Sequence, residues 1–411
     1  MRNSVDDFFV GAAAKYLSAV DADPSRSNQH EIGGLPSVGF KNYLGTPGKG
    51  EENEYRFQCT MAYLSDSDSP VLCSDTVTWY DCRRNVSHRS PEYRLYYKSN
   101  AVSTLMQPSD FFLIAKQNNG ELLLLFAPAD SSIEYQLRHL FGLPTLQSKS
   151  FTAADMPHES LVLPIKLLLD ELGIAVFETS DEGDLEKLLS RFPGSFPTTR
   201  EFSNFARESC ANDCIDQPDS ALLSWMEREE SLFRTYERHL VSQRLQQGFQ
   251  HPERHEVDEF ISFSLSVQNR RKSRVGHAFE NHLGEIFKRH KLEFETGGGS
   301  RVTENKSKPD FLFPSFHAYH DLTFPTDKLF LLGAKTTCKD RWRQVLSEGD
   351  RVERKFLATM EPSISEAQTN EMQSKNLQLV VPSAIHHTFS RDQQTWLYSL
   401  HDFICEVKAR N

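Results

Sequence analysis

The chain has 411 residues, 38% of them hydrophobic and 25% charged, enough for two ordinary globular domains. No apolar run reaches the roughly 20 residues of a membrane span. The start, Met1-Arg2-Asn3-Ser4-Val5-Asp6-Asp7, has no signal-peptide core, so a cytoplasmic protein with no membrane partner is expected. The formal net charge of −11 excludes a uniformly basic surface, but nucleic-acid binding responds to local field rather than to the average.

From the N-terminus, Asp6 to Leu17 is expected to be helical. Tyr55–Cys59, Glu92–Tyr97, Asp110–Ala115 and Glu121–Phe126 carry strand chemistry, which predicts a mostly β, barrel-like domain over residues 1–165. Two polar clusters stand out there. One is Arg26-Ser27-Asn28-Gln29-His30-Glu31. The other runs from Trp79-Tyr80 through Arg83-Arg84 and His88-Arg89 to Arg94. Asn and Gln can pair with adenine and Arg with guanine. Two solvated loops would read the same way.

Ile165–Leu172 reads as a helix, and Phe192-Pro193-Gly194-Ser195-Phe196-Pro197 as a break, so the linker is placed at 166–194 and a second domain at 195–411. Ala221–Gln247 is one long helix with Trp225, Leu232, Tyr236 and Leu240 on a stripe. Before the next helix, Ser273–His290, four of the five residues Arg270, Arg271, Lys272, Ser273 and Arg274 are basic, a run suited to phosphate or minor-groove contacts. Val275, Phe279, Leu283 and Ile286 form the apolar stripe of that helix, with Glu280 beside it. Gly297-Gly298-Gly299 lacks the Lys-Ser/Thr of a phosphate loop and reads as a turn. The seven cysteines are scattered, and Cys210 and Cys214 have no second pair at zinc-finger spacing, so reduced thiols are expected.

The stretch from Lys308 to Glu348 carries the chemistry. Asp310 follows Lys308-Pro309, Lys335 closes the apolar strand Leu329–Ala334, and Glu348 lies on a helical segment thirteen positions later. Two carboxylates about 4 Å apart repel by roughly 4 kcal/mol at an effective dielectric near 20, so such a pair calls for a cation. A divalent cation held there can be set against a scissile phosphate. A lysine ending an apolar strand needs an anionic partner or a task, such as orienting a water. Next comes Lys339-Asp340-Arg341, expected in a first helical turn and facing outward. Lys and Arg can donate to guanine O6 and N7, and Asp can accept from cytosine N4.

The runs Asn269–Arg274, Lys308-Pro309-Asp310-Phe311-Leu312-Phe313-Pro314-Ser315 and Lys335–Gln344, with Ala318-Tyr319-His320-Asp321 and Leu379-Val380-Val381-Pro382-Ser383, resemble the catalytic half of the EcoRII family of restriction endonucleases. The resemblance is close from about Ser195 to Phe403 and holds only in outline before that. It implies an α/β catalytic domain of the PD-(D/E)xK type, a mixed central sheet flanked by helices, preceded by a mostly β DNA-binding pseudobarrel. It implies a Mg²⁺-dependent type II enzyme cutting double-stranded DNA at 5′-CCWGG or a close relative. Asp310 and Glu348 would bind Mg²⁺, with Lys335 and Glu280 completing the catalytic set. Lys339, Asp340 and Arg341 would read G·C pairs, and Arg270, Arg271, Lys272 and Arg274 would contact phosphates or the minor groove. The N-terminal domain would hold an effector copy of the site through arms such as Asn28, Gln29, His30, Arg83 and Arg84, although these do not match the family residue by residue. A homodimer and a cognate DNA methyltransferase are the implied partners.

Two other classes fit parts of the pattern. A DNA-binding regulator on a dead nuclease fold would have lost an acid or the lysine, whereas Asp310, Lys335 and Glu348 are all present. A housekeeping nuclease would have little use for the Lys-Asp-Arg triplet.

Overall fold

The computed structural model describes residues 4–22, 30–48, 53–86, 88–143, 151–154, 161–174, 176–177, 182–210, 215–249, 256–338 and 342–410. Among them, no helix is long and apolar enough to cross a membrane. The chain divides into two compact units, Met1–Val176 with Ser363–Gln368, and Phe177–Pro362 with Thr369–Asn411.

The first unit is built on one eight-stranded sheet. Its strands are β1 (Phe9–Tyr16), β2 (Glu31–Gly33), β3 (Glu54–Tyr63), β4 (Val71–Asp81), β5 (Tyr93–Tyr96), β6 (Phe111–Gln117), β7 (Leu122–Ala127) and β8 (Thr152–Ala154), in the order β2-β5-β4-β3-β7-β6-β1-β8. All neighbours pair antiparallel except β3 with β7. Burial of Leu122 to Ala127 along the whole of β7 marks a central strand covered on both faces. Helix α1 (Ser132–Leu140) starts at a Ser131 cap that accepts from the Glu134 amide.

The expected helix at Asp6–Leu17 is a correction. Only Val5–Asp7 forms a short 3-10 turn, and Phe9–Tyr16 is a strand. Gly11-Ala12-Ala13-Ala14 has helical propensity in isolation. Here those small residues are buried between β6 and β8, and tertiary pairing outweighs the local preference.

In the second unit four strands form a mixed sheet, β9 (Phe311–Phe313), β10 (Phe330–Ala334), β11 (Lys355–Ala358) and β12 (Leu377–Val380), ordered β12-β11-β10-β9. β10, β11 and β12 run parallel, and β9 pairs antiparallel with β10. Their burial on both faces is the pattern of strands covered by helices. Helices α2 (Leu163–Glu171, in the first unit) and α3 (Glu182–Arg191, in the second) occupy much of the 166–194 stretch, with the unit boundary between them. Helix α4 (Thr199–Glu208) opens on a Thr198/Glu201 capping box. Two long helices follow, α5 (Pro218–Gln247) and α6 (Glu256–Arg289). Val275, Phe279, Leu283 and Ile286 are buried, as the stripe predicts, but α6 begins well before Ser273 and includes the basic run. Phe287 on α6 meets Phe294, Phe311, Phe313 and Phe403, an aromatic cluster that seats the helix on the sheet.

Candidate active site

Asp310 is placed by backbone geometry. Antiparallel pairing of Phe311 with Leu332 brings the residue before β9 beside the end of β10. Upstream, the Gly297 amide donates to the Pro309 carbonyl at 2.9 Å. A Cβ at Gly297 would lie 2.7 Å from the Lys308 backbone, so only glycine allows this approach, and the glycine tract is a turn. Asp310 Oδ2 then accepts two hydrogen bonds, from Lys335 Nζ at 2.7 Å and from the Ala334 amide at 2.7 Å. Both side chains are about one-fifth exposed, 18% for Asp310 and 22% for Lys335, so the ion pair is desolvated yet open to a ligand.

Glu348 is expected on a helix. The helix α7 (Trp342–Leu346) ends before it, and Glu348 stands in the turn that follows. Burial, and next the charge of Asp310, push its carboxyl up to about 7, while Lys335 and Lys355 pull the other way. Glu280, on α6, is also raised, first by burial and then by Asp310; Lys335 and His277, 3.9 Å away, oppose the shift. Asp310 thus acts on both glutamates and Lys335 offsets it at both. The four predicted catalytic residues share one electrostatic field.

That field suits a cation. Two carboxylates held near each other in a partly buried site, one of them raised by the other, lose that cost when a divalent ion lies between them. Among the described residues no three His, Cys, Asp or Glu side chains group as a ready-made metal cluster. Asp310 and Glu348 are the residues that would hold the ion. A pair of carboxylates completed by water and substrate phosphate is how Mg²⁺ is usually bound, rather than in an all-protein cage.

The predicted DNA contacts divide into several groups. Lys339, Asp340 and Arg341 lie outside the described residues, as do Asn28 and Gln29. The chain is anchored on both sides of the triplet. Cys338 is buried with its amide on Glu361, and Trp342 is buried. Arg274 is a correction. It is 5% exposed, and its guanidinium meets Glu229 at 3.3 Å and also Glu230, so it is a core ion pair rather than a phosphate contact. Arg271 pairs with buried Glu237 at 2.7 Å, and Arg270 lies 4.8 Å over the Phe196 ring. Lys272 is exposed. The helical period turns one side of a basic run inward, and composition alone does not reveal which side.

In the first unit, Trp79 is core, stacked on Tyr93 with its indole donating to the Gly45 carbonyl, which removes it from the proposed arm. Arg83 pairs with Glu92, Arg84 lies 4.9 Å over the Tyr80 ring, and Arg94 bridges Glu31 at 2.9 Å and Glu92 at 2.7 Å. His30 packs edge-on against Tyr97. The second cluster is therefore a connected charged network on β2, β4 and β5.

Residues 233–404 match the family model described as EcoRII C terminal. The type II restriction enzyme EcoRII of Escherichia coli is 40% identical over 213 residues, covering 52% of this chain and 50% of that protein. The match therefore spans about half the length of that curated relative. Among solved structures, metal-depleted Ecl18kI in complex with uncleaved, modified DNA overlaps 57% of this chain and 85% of its own at 17% identity, with a TM-score of 0.44. A complex of the restriction endonuclease PspGI with substrate DNA overlaps 52% and 93% at 16% identity, with a TM-score of 0.43.

A further buried lysine lies beside the candidate site. Lys355 opens β11 and is 8% exposed. Its Nζ donates to the Leu346 carbonyl at 2.6 Å, capping α7 just before Glu348. Lys355 opens the apolar strand Lys355-Phe356-Leu357-Ala358 as Lys335 closes the one before it, so the sequence carries the same strand-end lysine signal at both.

Proposed function

We propose that this protein is a Mg²⁺-dependent type II restriction endonuclease that cuts double-stranded DNA at 5′-CCWGG or a closely related site. The observation that carries the reading is the Asp310–Lys335 ion pair lying in one field with Glu348 and Glu280. When bound, Mg²⁺ would supply positive charge at the scissile phosphate and a more acidic water. Asp310 and Glu348 would hold it. Lys335, oriented by Asp310, would steer the attacking water and oppose charge growing on the phosphate. Glu280 would adjust the charge balance nearby.

In this reading Lys339, Asp340 and Arg341 read the G·C pairs, while Lys272, with Arg270 and Arg271, contributes to the backbone field. The N-terminal unit binds an additional copy of the site through His30, Arg83, Arg84 and the segment containing Asn28 and Gln29. Two copies of the chain act together, because each carries one set of catalytic residues and a duplex has two strands to cut. A cognate methyltransferase protects the host, and the enzyme acts in the cytoplasm.

The deciding experiment is incubation of purified protein with mapped plasmids and Mg²⁺, followed by sequencing of the ends. Discrete fragments sharing one sequence support restriction. A smear means a nonspecific nuclease, and a footprint without cutting means a DNA-binding regulator.

A further inference from the structure

The turn that presents Glu348 is held on both sides by polar side chains. Before it, Lys355 Nζ caps the Leu346 carbonyl at 2.6 Å. After it, the Asp350 amide donates to Glu304 Oε2 at 3.2 Å, and the Arg351 amide to the Tyr319 hydroxyl at 3.4 Å. Tyr319 in turn donates its hydroxyl to Glu304 Oε2 at 2.5 Å. The Arg351 guanidinium donates to the carbonyls of Tyr319, Asp321 (3.0 Å) and Phe324 (3.1 Å). Between these anchors Gly349 has φ +64°, and a Cβ there would lie 2.6 Å from Leu331 Cδ1, so the turn is pressed onto β10.

Glu304 precedes Asp310 by six positions, and Asp350 follows Glu348 by two. One carboxylate oxygen therefore joins the segment leading into the first proposed metal-holding residue to the turn carrying the second. We propose that Glu304, acting with Tyr319, is a positioning residue that fixes Glu348 relative to Asp310 and is not itself a metal ligand. The inference rests on the nuclease reading above. Its physical basis is simple. Two carboxylates that repel will drift apart unless their backbones are tied, and a site tied at the right spacing binds a small cation with less reorganisation.

The charge of Glu304 is dispensable in this role, whereas its acceptor oxygen is not. Glu304→Gln keeps an oxygen able to accept from both Tyr319 and Asp350, and Glu304→Ala keeps none. Binding of Ca²⁺ alone is measured by calorimetry for wild type, E304A, E304Q and Y319F, beside the half-saturating Mg²⁺ and maximal rate of cleavage. Thermal melting checks folding. E304A and Y319F should weaken Ca²⁺ binding and raise half-saturating Mg²⁺ by about fivefold to tenfold, the scale of one or two lost hydrogen bonds, with a smaller change in maximal rate. E304Q should recover to within about twofold of wild type, since the same two bonds can form. Equal damage in E304Q and E304A would overturn the proposal by showing that the carboxylate charge acts on the metal. Wild-type behaviour in E304A would overturn it by showing that the tie is irrelevant. A wild-type protein that neither binds Ca²⁺ nor cuts would overturn the nuclease reading itself, and the proposal with it.

Discussion

Lys335 Nζ and the Ala334 amide converge on the same oxygen, Asp310 Oδ2, each at 2.7 Å. A backbone donor from the end of β10 and the side chain of the next residue thus grip one carboxylate, and the lysine cannot reorient without giving up a charge-assisted bond. Lys335→Ala removes the ammonium and leaves the backbone bond. Cleavage should fall by at least about a hundredfold, the scale of losing a charge-stabilising donor. Binding of a cognate duplex, measured by gel shift in Ca²⁺, should change little. A correctly folded K335A that cuts at near the wild-type rate would take Lys335 out of the mechanism.

Glu348 makes metal binding depend on pH. Its carboxyl sits at about 7 in the metal-free protein, because burial and Asp310 favour the neutral form. A cation must displace that proton, so affinity should fall about tenfold per unit as pH drops below 7 and level off above it. Calorimetry of Ca²⁺ binding near pH 6 in buffers of different ionisation enthalpy should report proton release approaching one per ion. The sign is opposite for metal-free stability. A carboxyl raised on folding favours the folded state at low pH, and that contribution is lost as pH rises from the ordinary glutamate range towards 7. Asp310→Ala should lower the Glu348 value by removing the like charge while burial still raises it, so the pH dependence of its residual cation binding should move to lower pH. A flat affinity from pH 6 to 8 in wild type would contradict this account.

Arg274 links Glu229 and Glu230 between α5 and α6, and all three are nearly inaccessible to solvent. Glu229 Oε2 also lies 2.9 Å from His282 Nε2, a fully buried histidine whose other ring nitrogen is 2.9 Å from Arg207 Nη1. Removing one partner of such a network strands buried charge. Arg274→Ala should therefore cost about 3–5 kcal/mol in urea unfolding. If R274A instead keeps full stability and loses affinity for every DNA sequence alike, the phosphate-contact role returns.

These outcomes show which features the sequence made legible. Asp310 and Lys335 stand at the ends of apolar strands, where an ionisable group needs a reason to be present, whereas Glu280 lies beside its helix stripe and is singled out only by the family resemblance. The long helices and central strands were readable from period alone. Arg274 was misleading because a run of like charges looks the same whether its helix faces solvent or a glutamate pair. The Gly11–Ala14 strand was misleading because alanines favour a helix until strands paired along both edges draw them into a buried sheet. Glu304 and Tyr319 act through the backbone of a turn, and nothing in local composition signals a partner so distant in sequence, whereas Lys355 stands at the end of an apolar strand as Lys335 does.

The division at Val176/Phe177 defines a fragment that tests the regulatory role proposed for the first unit. Beginning at 190 would cut through α3. There Asp184 forms a two-bond ion pair with Arg228 at 2.7 Å, and Leu188 is fully buried against the α4 and α5 cluster. Starting at Phe177 keeps α3 and every proposed catalytic residue. This fragment should cleave a one-site plasmid on its own, at a rate that an added duplex bearing the site leaves unchanged. Full-length protein should respond to the same duplex. Because Ser363–Gln368 belongs to the first unit, with the Ser365 amide donating to Ser132 Oγ at 3.0 Å, the fragment should be less resistant to proteolysis at that segment. If both proteins respond to the duplex alike, the first unit has no effector role, and the Arg83–Glu92–Arg94–Glu31 network is structural.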